Sequence, residues 1–328
     1  MTIEFQRIIP GVNLLDEDDV LPMLQAWRRQ GLRTALVTLV SVEGGSPRQP
    51  GAQMAVAEDG SYASYLSGGC LEQAVALEAQ VAISAGANRL VRYGKGSPYF
   101  DIRLPCGSGM DLYFDQALGD EHLAGMLAHR AGRQTFALRT DLDSGASEVV
   151  AIAGSVPLSR RDGNIFDRVY APPIRLALIG NGPALTGIAT LAQATGLDLT
   201  IWSTDDVTRS QLAAGNQTSS SSDDDLDVAI SGLDHASAAV VVFHDHEAEP
   251  RILRKLLETP CFYLGVLGNH AVHRARLDAL RALGLGEEAL ARLHAPVGSI
   301  PNAKSKATFA FGVLAEMLAD AKARNLIA

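Results

Sequence analysis

The sequence predicts an α/β protein in two parts: an N-terminal mixed α+β domain, then a Rossmann-like domain with a doubly wound parallel sheet. Three observations lead there. The chain has 328 residues, a length that suits two ordinary domains better than one. Its first half carries β-branched runs between glycine-rich turns without a strict strand–helix rhythm, whereas its second half alternates short apolar strands with helical stretches. Between them lies a polar stretch ending in Ala171-Pro172-Pro173. It reads as a linker over 159–173, with domains at 1–158 and 174–328.

Taken in order, Val20, Leu21, Leu24 and Trp27 recur at helical spacing and predict a helix over about 16–29, stopped by Gly31. Residues 34–42 are β-branched and apolar, as in a buried strand, and a glycine–proline cluster over 43–51 ends them. Segments 52–57 and 61–66 flank Glu58-Asp59-Gly60 as a hairpin. Ser67-Gly68-Gly69-Cys70-Leu71-Glu72 then opens a helix that runs to about Ser84. Strands are expected near 90–93 and 110–114, with glycine-rich stretches at 94–98 and 105–109 between them, and a hairpin pairs 135–140 with 148–152. In the second half, strands at 175–180, 199–202, 238–243 and 262–266 alternate with helical segments, the first at 183–195. The tract 219–225 is low-complexity and reads as a solvated loop, and the apolar helix at 309–318 as core or interface.

Composition narrows the function. The formal net charge is −9 and no basic block occurs, which argues against a nucleic-acid surface. Three cysteines, Cys70, Cys106 and Cys261, without CxxC spacing make neither a disulfide framework nor a structural zinc site. The N-terminus lacks the apolar core of a signal peptide, and no apolar run is long enough to span a bilayer. The expected compartment is the cytoplasm, with no membrane partner.

Gly180-Asn181-Gly182 follows a strand and precedes a helix, where helix N–H groups can hold a phosphate. The third glycine of the dinucleotide fingerprint would fall at Leu185, and Gly187 comes two residues late. The acidic ribose anchor is displaced as well, to Asp205 or Asp206. Gly180 and Gly182 therefore either bind a nucleotide or pterin phosphate or merely turn the chain. His244, Asp245, His246 and Glu247 cluster after the third strand of this half, at the edge where open α/β sheets take ligands. His244 is the best single candidate there, and four consecutive residues do not by themselves make a zinc site.

The ordered set of motifs resembles the XdhC/CoxI family over nearly the whole chain. In the first half the matching pieces are 45–52, around Ser46 and Arg48, then 67–72, and then 93–98 with 101–107. In the second half they are Phe243-His244-Asp245, residues 263–268 with Arg274, and 294–301. Asn269-His270 stands where the family has Ser-Arg. The resemblance implies an accessory protein that binds molybdenum cofactor and protects it. It also implies help in delivering the sulfurated form to a molybdenum hydroxylase of the xanthine dehydrogenase type. Partners implied are the apo-hydroxylase, the sulfurase (a cysteine desulfurase) and a second copy in a homodimer; turnover of purines by the chain itself is not expected.

On that reading, Gly68 and Gly69 give the backbone close approach to an anionic pterin, beside Ser46, Ser67 and Gly107. Cys70 at a helix N-terminus offers a thiolate to molybdenum, with Cys106 as a second loop cysteine, and Arg48 pairs with the phosphate. The plainer alternatives are packed cysteines and a surface arginine. Glu72 is expected only to complement the helix dipole, and His270 and His273 to lie on a solvated face. Two rivals remain: an NAD(P)-dependent oxidoreductase built on the second domain, and a chaperone that contacts the apo-hydroxylase and binds no cofactor.

Overall fold

The computed structural model describes residues 19–67, 69, 71–97, 107–243 and 249–327. The chain divides into two compact units, with the break between Pro172 and Pro173.

The first unit runs α1 (Leu21–Arg29), β1 (Thr34–Glu43), β2 (Gln53–Ala57), β3 (Tyr62–Ala63), α2 (Glu72–Ala85), β4 (Arg89–Gly94), β5 (Gly109–Asp115), α3 (Asp120–Ala131), β6 (Phe136–Asp141), β7 (Ser147–Ala151), β8 (Arg160–Asp162) and β9 (Ile165–Tyr170). Its strands make a five-stranded sheet in the order β3-β2-β1-β5-β4 and a four-stranded sheet in the order β7-β6-β9-β8. All pairings are antiparallel. Strand β1 is covered on both faces. Ala35, Val37 and Leu39 pack with Val75, Ala76, Ala79 and Ile83 of α2. Leu36 packs on the other side with Leu24 and Trp27 of α1 and with Phe136, Leu138 and Tyr170 of the second sheet. This double cover explains why 34–42 reads as an unbroken apolar run rather than an alternating one.

The polar stretch expected to be a linker is folded. Within 159–173 the chain forms β8 and β9, and Phe166, Val169 and Tyr170 are buried. The Tyr170 ring stacks on Phe136 at 4.7 Å, and its hydroxyl donates to Gln53 Oε1 at 2.8 Å. The stretch looked like a linker because β8 is an edge strand of three exposed charged residues, a composition that protects a sheet edge and mimics a loop.

The second unit runs β10 (Arg175–Gly180), α4 (Gly182–Ala194), β11 (Asp198–Trp202), α5 (Asp206–Ala214), α6 (Asp223–Ser231), β12 (Ser237–Val242), α7 (Glu249–Leu257), β13 (Tyr263–Val266), α8 (His270–Ala282), α9 (Glu287–Leu290), β14 (Leu293–His294) and α10 (Lys306–Ala323). Its parallel sheet has the order β11-β10-β12-β13-β14. Ala177, Ile179, Ala239 and Val241 face a cluster built from α6, α7 and α8, while α4 and α10 pack together over the other side. This is the expected Rossmann-like, doubly wound arrangement.

The tract 219–225 is not simply a solvated loop. Ser222 accepts from the Asp225 amide as the N-cap of α6, and Asp223, Asp224 and Asp225 fill its first turn, where acidic residues complement the dipole. The apolar C-terminal helix is largely core, with Ala310, Val313 and Met317 fully buried, although Phe311 is exposed.

Gly180 ends β10 with φ +141°, and a Cβ there would collide with the Val242 carbonyl. Gly180→Ala is therefore expected to lower stability by about 2–4 kcal/mol in chemical unfolding. Gly284, at φ +86° with open space around it, is the control. Its alanine variant carries backbone strain alone and is expected to cost about 1 kcal/mol.

Candidate functional site

Strand register gathers the candidate loops of the first unit at one end of its five-stranded sheet. Glu43, the last residue of β1, pairs with Gly109, the first of β5, and Gly109 also pairs with Gly94, the last of β4. Thr38 pairs with Gln53 at the start of β2, so the 44–52 turn projects from the same end. Strand β3 returns along β2 toward it and hands the chain to 64–71 and the N-terminus of α2. Ser46, Arg48, Ser67, Gly69 and Gly107 thus belong to loops at one sheet end. The Arg48 guanidinium lies 4.8 Å from the centre of the Tyr65 ring, joining two of these loops directly, and its amide donates to Ser46 Oγ at 3.2 Å. Gly69 and Gly107 have φ of +115° and +66°, and a Cβ on either would meet open space, so the chain offers uncovered backbone at both points. Gly68, Cys70 and Cys106 lie outside the described residues.

Glu72 does more than complement a dipole. It is 4% exposed, and its carboxylate collects the amides of Leu66 at 2.9 Å, Ser67 at 2.8 Å and Leu71 at 3.2 Å together with the Ser67 hydroxyl at 3.0 Å. Burial alone would push its pKa up. The amides of Ser67, Leu66 and Glu72 itself and the Ser67 hydroxyl outweigh that and hold it below the ordinary 4.5. The buried carboxylate ties Leu66, Ser67 and Leu71 together. The N-terminus of α2 is therefore not a bare positive pole. A sequence signal existed: an acidic residue in the first turn, five positions after a serine.

A second charged cluster closes the neighbouring loop. Arg92 donates to Asp111 Oδ1 at 3.1 Å, to the Lys95 carbonyl at 2.8 Å and to Glu43, and Lys95 Nζ donates to Glu43 Oε1 at 2.6 Å. The Lys95 amide bonds the Ser108 carbonyl at 2.9 Å across the base of the loop. Sequence reasoning passed over these residues because 49 positions separate Glu43 from Arg92.

In the second unit Gly180 and Gly182 sit where β10 meets α4, beside the end of β12, at the point where the strand order reverses. The Gly182 amide donates to Thr208 Oγ1 at 2.8 Å, so the chain itself occupies the first donor of this helix end. Asp205, a candidate ribose anchor, accepts from the Thr208 amide at 2.8 Å as the N-cap of α5. Leu185 is fully buried, and Gly187 serves helix packing, because a Cβ there would strike Lys306 on α10. The departures from the dinucleotide fingerprint thus have structural uses, and an NAD(P) site gains no support from them.

His244 falls outside the described residues, which resume at Glu249. Glu249 and Arg276 form an ion pair with side chains 2% and 1% exposed, and Arg276 Nη2 donates to the Leu267 carbonyl at 2.6 Å. This pair ties the start of α7 to the turn after β13. Asn269 accepts the amides of Ala271 and Val272, making it the N-cap of α8 in place of the family's serine. The expectation of a solvated His270–His273 face is corrected at His273. Its Nδ1 is buried with no hydrogen-bond partner among the described residues, and burial, Arg276 and His270 together lower its pKa. The His294 ring lies 4.4 Å from that of Tyr263, tilted by 33°, with Nδ1 3.4 Å from Glu316 Oε1. Among the described residues no group of three or more His, Cys, Asp or Glu could hold a metal ion.

Fold and site together define a class: an antiparallel α+β unit with glycine loops at one sheet end, followed by a Rossmann-like unit whose dinucleotide signals are diverted to packing and capping. Residues 27–94 match the model of the XdhC and CoxI family, and residues 176–317 match that of the XdhC Rossmann domain. The chain is 36% identical over 290 residues to the molybdenum cofactor insertion chaperone PaoD of Escherichia coli (strain K12), covering 88% of this chain and 83% of that protein. It therefore belongs to the XdhC and CoxI family. It is also 24% identical over 335 residues to a probable xanthine dehydrogenase subunit of Bacillus subtilis (strain 168), covering 92% and 97% of the two chains. A crystal structure described as a xanthine dehydrogenase from Bacillus halodurans shares the fold, with a TM-score of 0.70 at 20% identity over 93% of this chain and 96% of that one.

Glu72→Ala takes the acceptor from the Leu66 and Ser67 amides and one of two acceptors from the Leu71 amide, and is expected to cost about 2–3 kcal/mol in urea unfolding. Because the folded pKa of Glu72 is depressed, its contribution is complete above pH 4.5 and is lost as pH falls through the lower folded value. The amide chemical shifts of Ser67 and Leu71 should report that step in the wild type and show none in Glu72→Gln. In the second unit, Arg276→Met removes the buried cation that faces Glu249 and is expected to cost about 3–5 kcal/mol, much of it recovered in the double variant Arg276→Met, Glu249→Leu.

Proposed function

We propose that this protein binds molybdenum cofactor as cargo and inserts it into a molybdenum hydroxylase of the xanthine dehydrogenase type. The observation that carries this reading is the 36% identity to the insertion chaperone PaoD across 83% of that protein. The relative from Bacillus subtilis supports the hydroxylase as partner through its name.

The loop-bearing end of the first sheet fits such a cargo. An anionic pterin needs exposed backbone, a cation and a soft ligand. Gly69 and Gly107 supply uncovered backbone, and Arg48 stands among the loops with its guanidinium over Tyr65. Cys70, next to the N-cap Leu71 of α2 in the sequence, is assigned as the thiolate for molybdenum, and Cys106, next to Gly107 in the sequence, as a second thiol. Ser46, Ser67 and Gly68 complete this set. Gly180, Gly182 and His244 of the second unit are assigned as further cofactor-binding residues. Glu72 holds Leu66, Ser67 and Leu71 in place before the cargo arrives, so less ordering entropy is lost on binding.

In this reading the protein works in the cytoplasm as a homodimer and meets both the sulfurase that loads the terminal sulfur and the apo-hydroxylase that receives the cofactor. No helix among the described residues is long and apolar enough to cross a membrane.

The test is anaerobic binding of isolated molybdenum cofactor to the wild type and to Cys70→Ala, with NAD and NADP titrated in parallel. Near-stoichiometric cofactor binding that falls at least tenfold in Cys70→Ala, without comparable nucleotide affinity, supports cargo and ligand together. Absence of cofactor binding alongside nucleotide binding would overturn the reading.

A further inference from the structure

At this end of the first unit the amides of Leu66 and Ser67 are taken by the Glu72 carboxylate, and that of Leu71 is shared between Glu72 and Ser67 Oγ. These amides are not free for an arriving anion, and side-chain cations are the other groups that can meet its charge. Arg92 and Lys95 stand together on the neighbouring loop, and both are turned onto one carboxylate, Glu43.

The two cations are held very differently. Arg92 has Asp111 and the Lys95 carbonyl as well as Glu43, so it keeps its place when Glu43 leaves. The ammonium of Lys95 has Glu43 as its hydrogen-bond partner among the described residues, and its side chain is 66% exposed against 51% for Glu43. An ion pair so open to water is weak and readily exchanged. The backbone of Lys95 is committed, its carbonyl accepting from Arg92 Nε. Gly94 and Gly96 flank it with φ of +75° and +79°, and the loop is pinned at its base by the Lys95 amide on the Ser108 carbonyl. The pair lies at the sheet end that carries Arg48, Gly69 and Gly107.

We propose that Glu43 is a resident counter-ion for Lys95, and that a phosphate-type anion binds at this loop by displacing Glu43 from Lys95 while Arg92 stays on Asp111. The inference rests on the cargo reading in one respect: the anion it would take is the terminal phosphate of the pterin cofactor. Its distinctive consequence is one of sign. Removing Glu43 strengthens binding, because a competitor is lost, whereas a purely structural ion pair predicts no change or a weakening.

The experiment uses the full chain as wild type, Glu43→Gln, Lys95→Gln and the double variant, each shown to unfold within a few degrees of wild type. Inorganic pyrophosphate and isolated molybdenum cofactor are titrated separately. Glu43→Gln is expected to bind both about fivefold more tightly, and Lys95→Gln about fivefold more weakly, as for loss of one partly exposed charge contact. The double variant should show no gain over Lys95→Gln. The Lys95 ammonium resonance of the wild type should shift as pyrophosphate is added. Equal or weaker binding by Glu43→Gln, or an unmoved Lys95 resonance at saturation, overturns the proposal. If cofactor binds all four proteins equally, the exchange fails and the cargo reading stands. If pyrophosphate follows the expected order while cofactor does not bind, the cargo reading fails and the exchange stands.

Discussion

The first unit depends on the double burial of β1. Seven consecutive residues, Thr34 to Val40, are shielded from water, which is possible only because one face meets α2 and the other meets α1 and a second sheet. A strand covered on both sides cannot slip in register without exposing apolar groups somewhere, so its neighbours are pinned as well. The pairings of Thr38 with Gln53 and Glu43 with Gly109 follow from that constraint, and they bring three sequence-distant loops to one sheet end. The candidate site is in this sense a by-product of core packing: the loops meet because the strands beneath them have no alternative alignment.

Much of this was legible in the residues themselves. The apolar run of β1, the hairpin turn at Glu58-Asp59-Gly60, and the strand–helix alternation after residue 174 all state their structure locally. What was not legible has a common cause. The strand β8 hid behind its charged edge composition, and the cluster of Glu43, Arg92 and Asp111 is assembled only by strand pairing. Glu72 was visible as an acidic residue near a helix start, yet its role depends on a loop that curls back over it, which one-dimensional spacing does not encode. Likewise Gly187 looked like a misplaced fingerprint glycine until α10 was seen to cross it.

The two units manage charge in opposite ways. In the second, several ionisable groups near the strand ends are committed to the fold: Glu249 and Arg276 pair in the core, and Asp205 caps a helix. In the first, Glu72 is likewise committed, but Glu43 and Lys95 remain in contact with water. Rigid charges shape a surface, whereas exchangeable ones respond to what arrives there. A family that shares one fold can differ in cargo or partner by changing the second kind while leaving the first alone.

The packing of α10 on α4 bears on how the chain is made. Lys306 lies against Gly187, a contact that spans more than a hundred residues, so the second unit cannot close until α10 has left the ribosome. The described helices and strands of the first unit all precede Pro172, so they are free to pair while the remainder is still being synthesised. Translation stalled ahead of α10 would then leave a finished antiparallel unit attached to an open parallel sheet, with the apolar face of α4 uncovered.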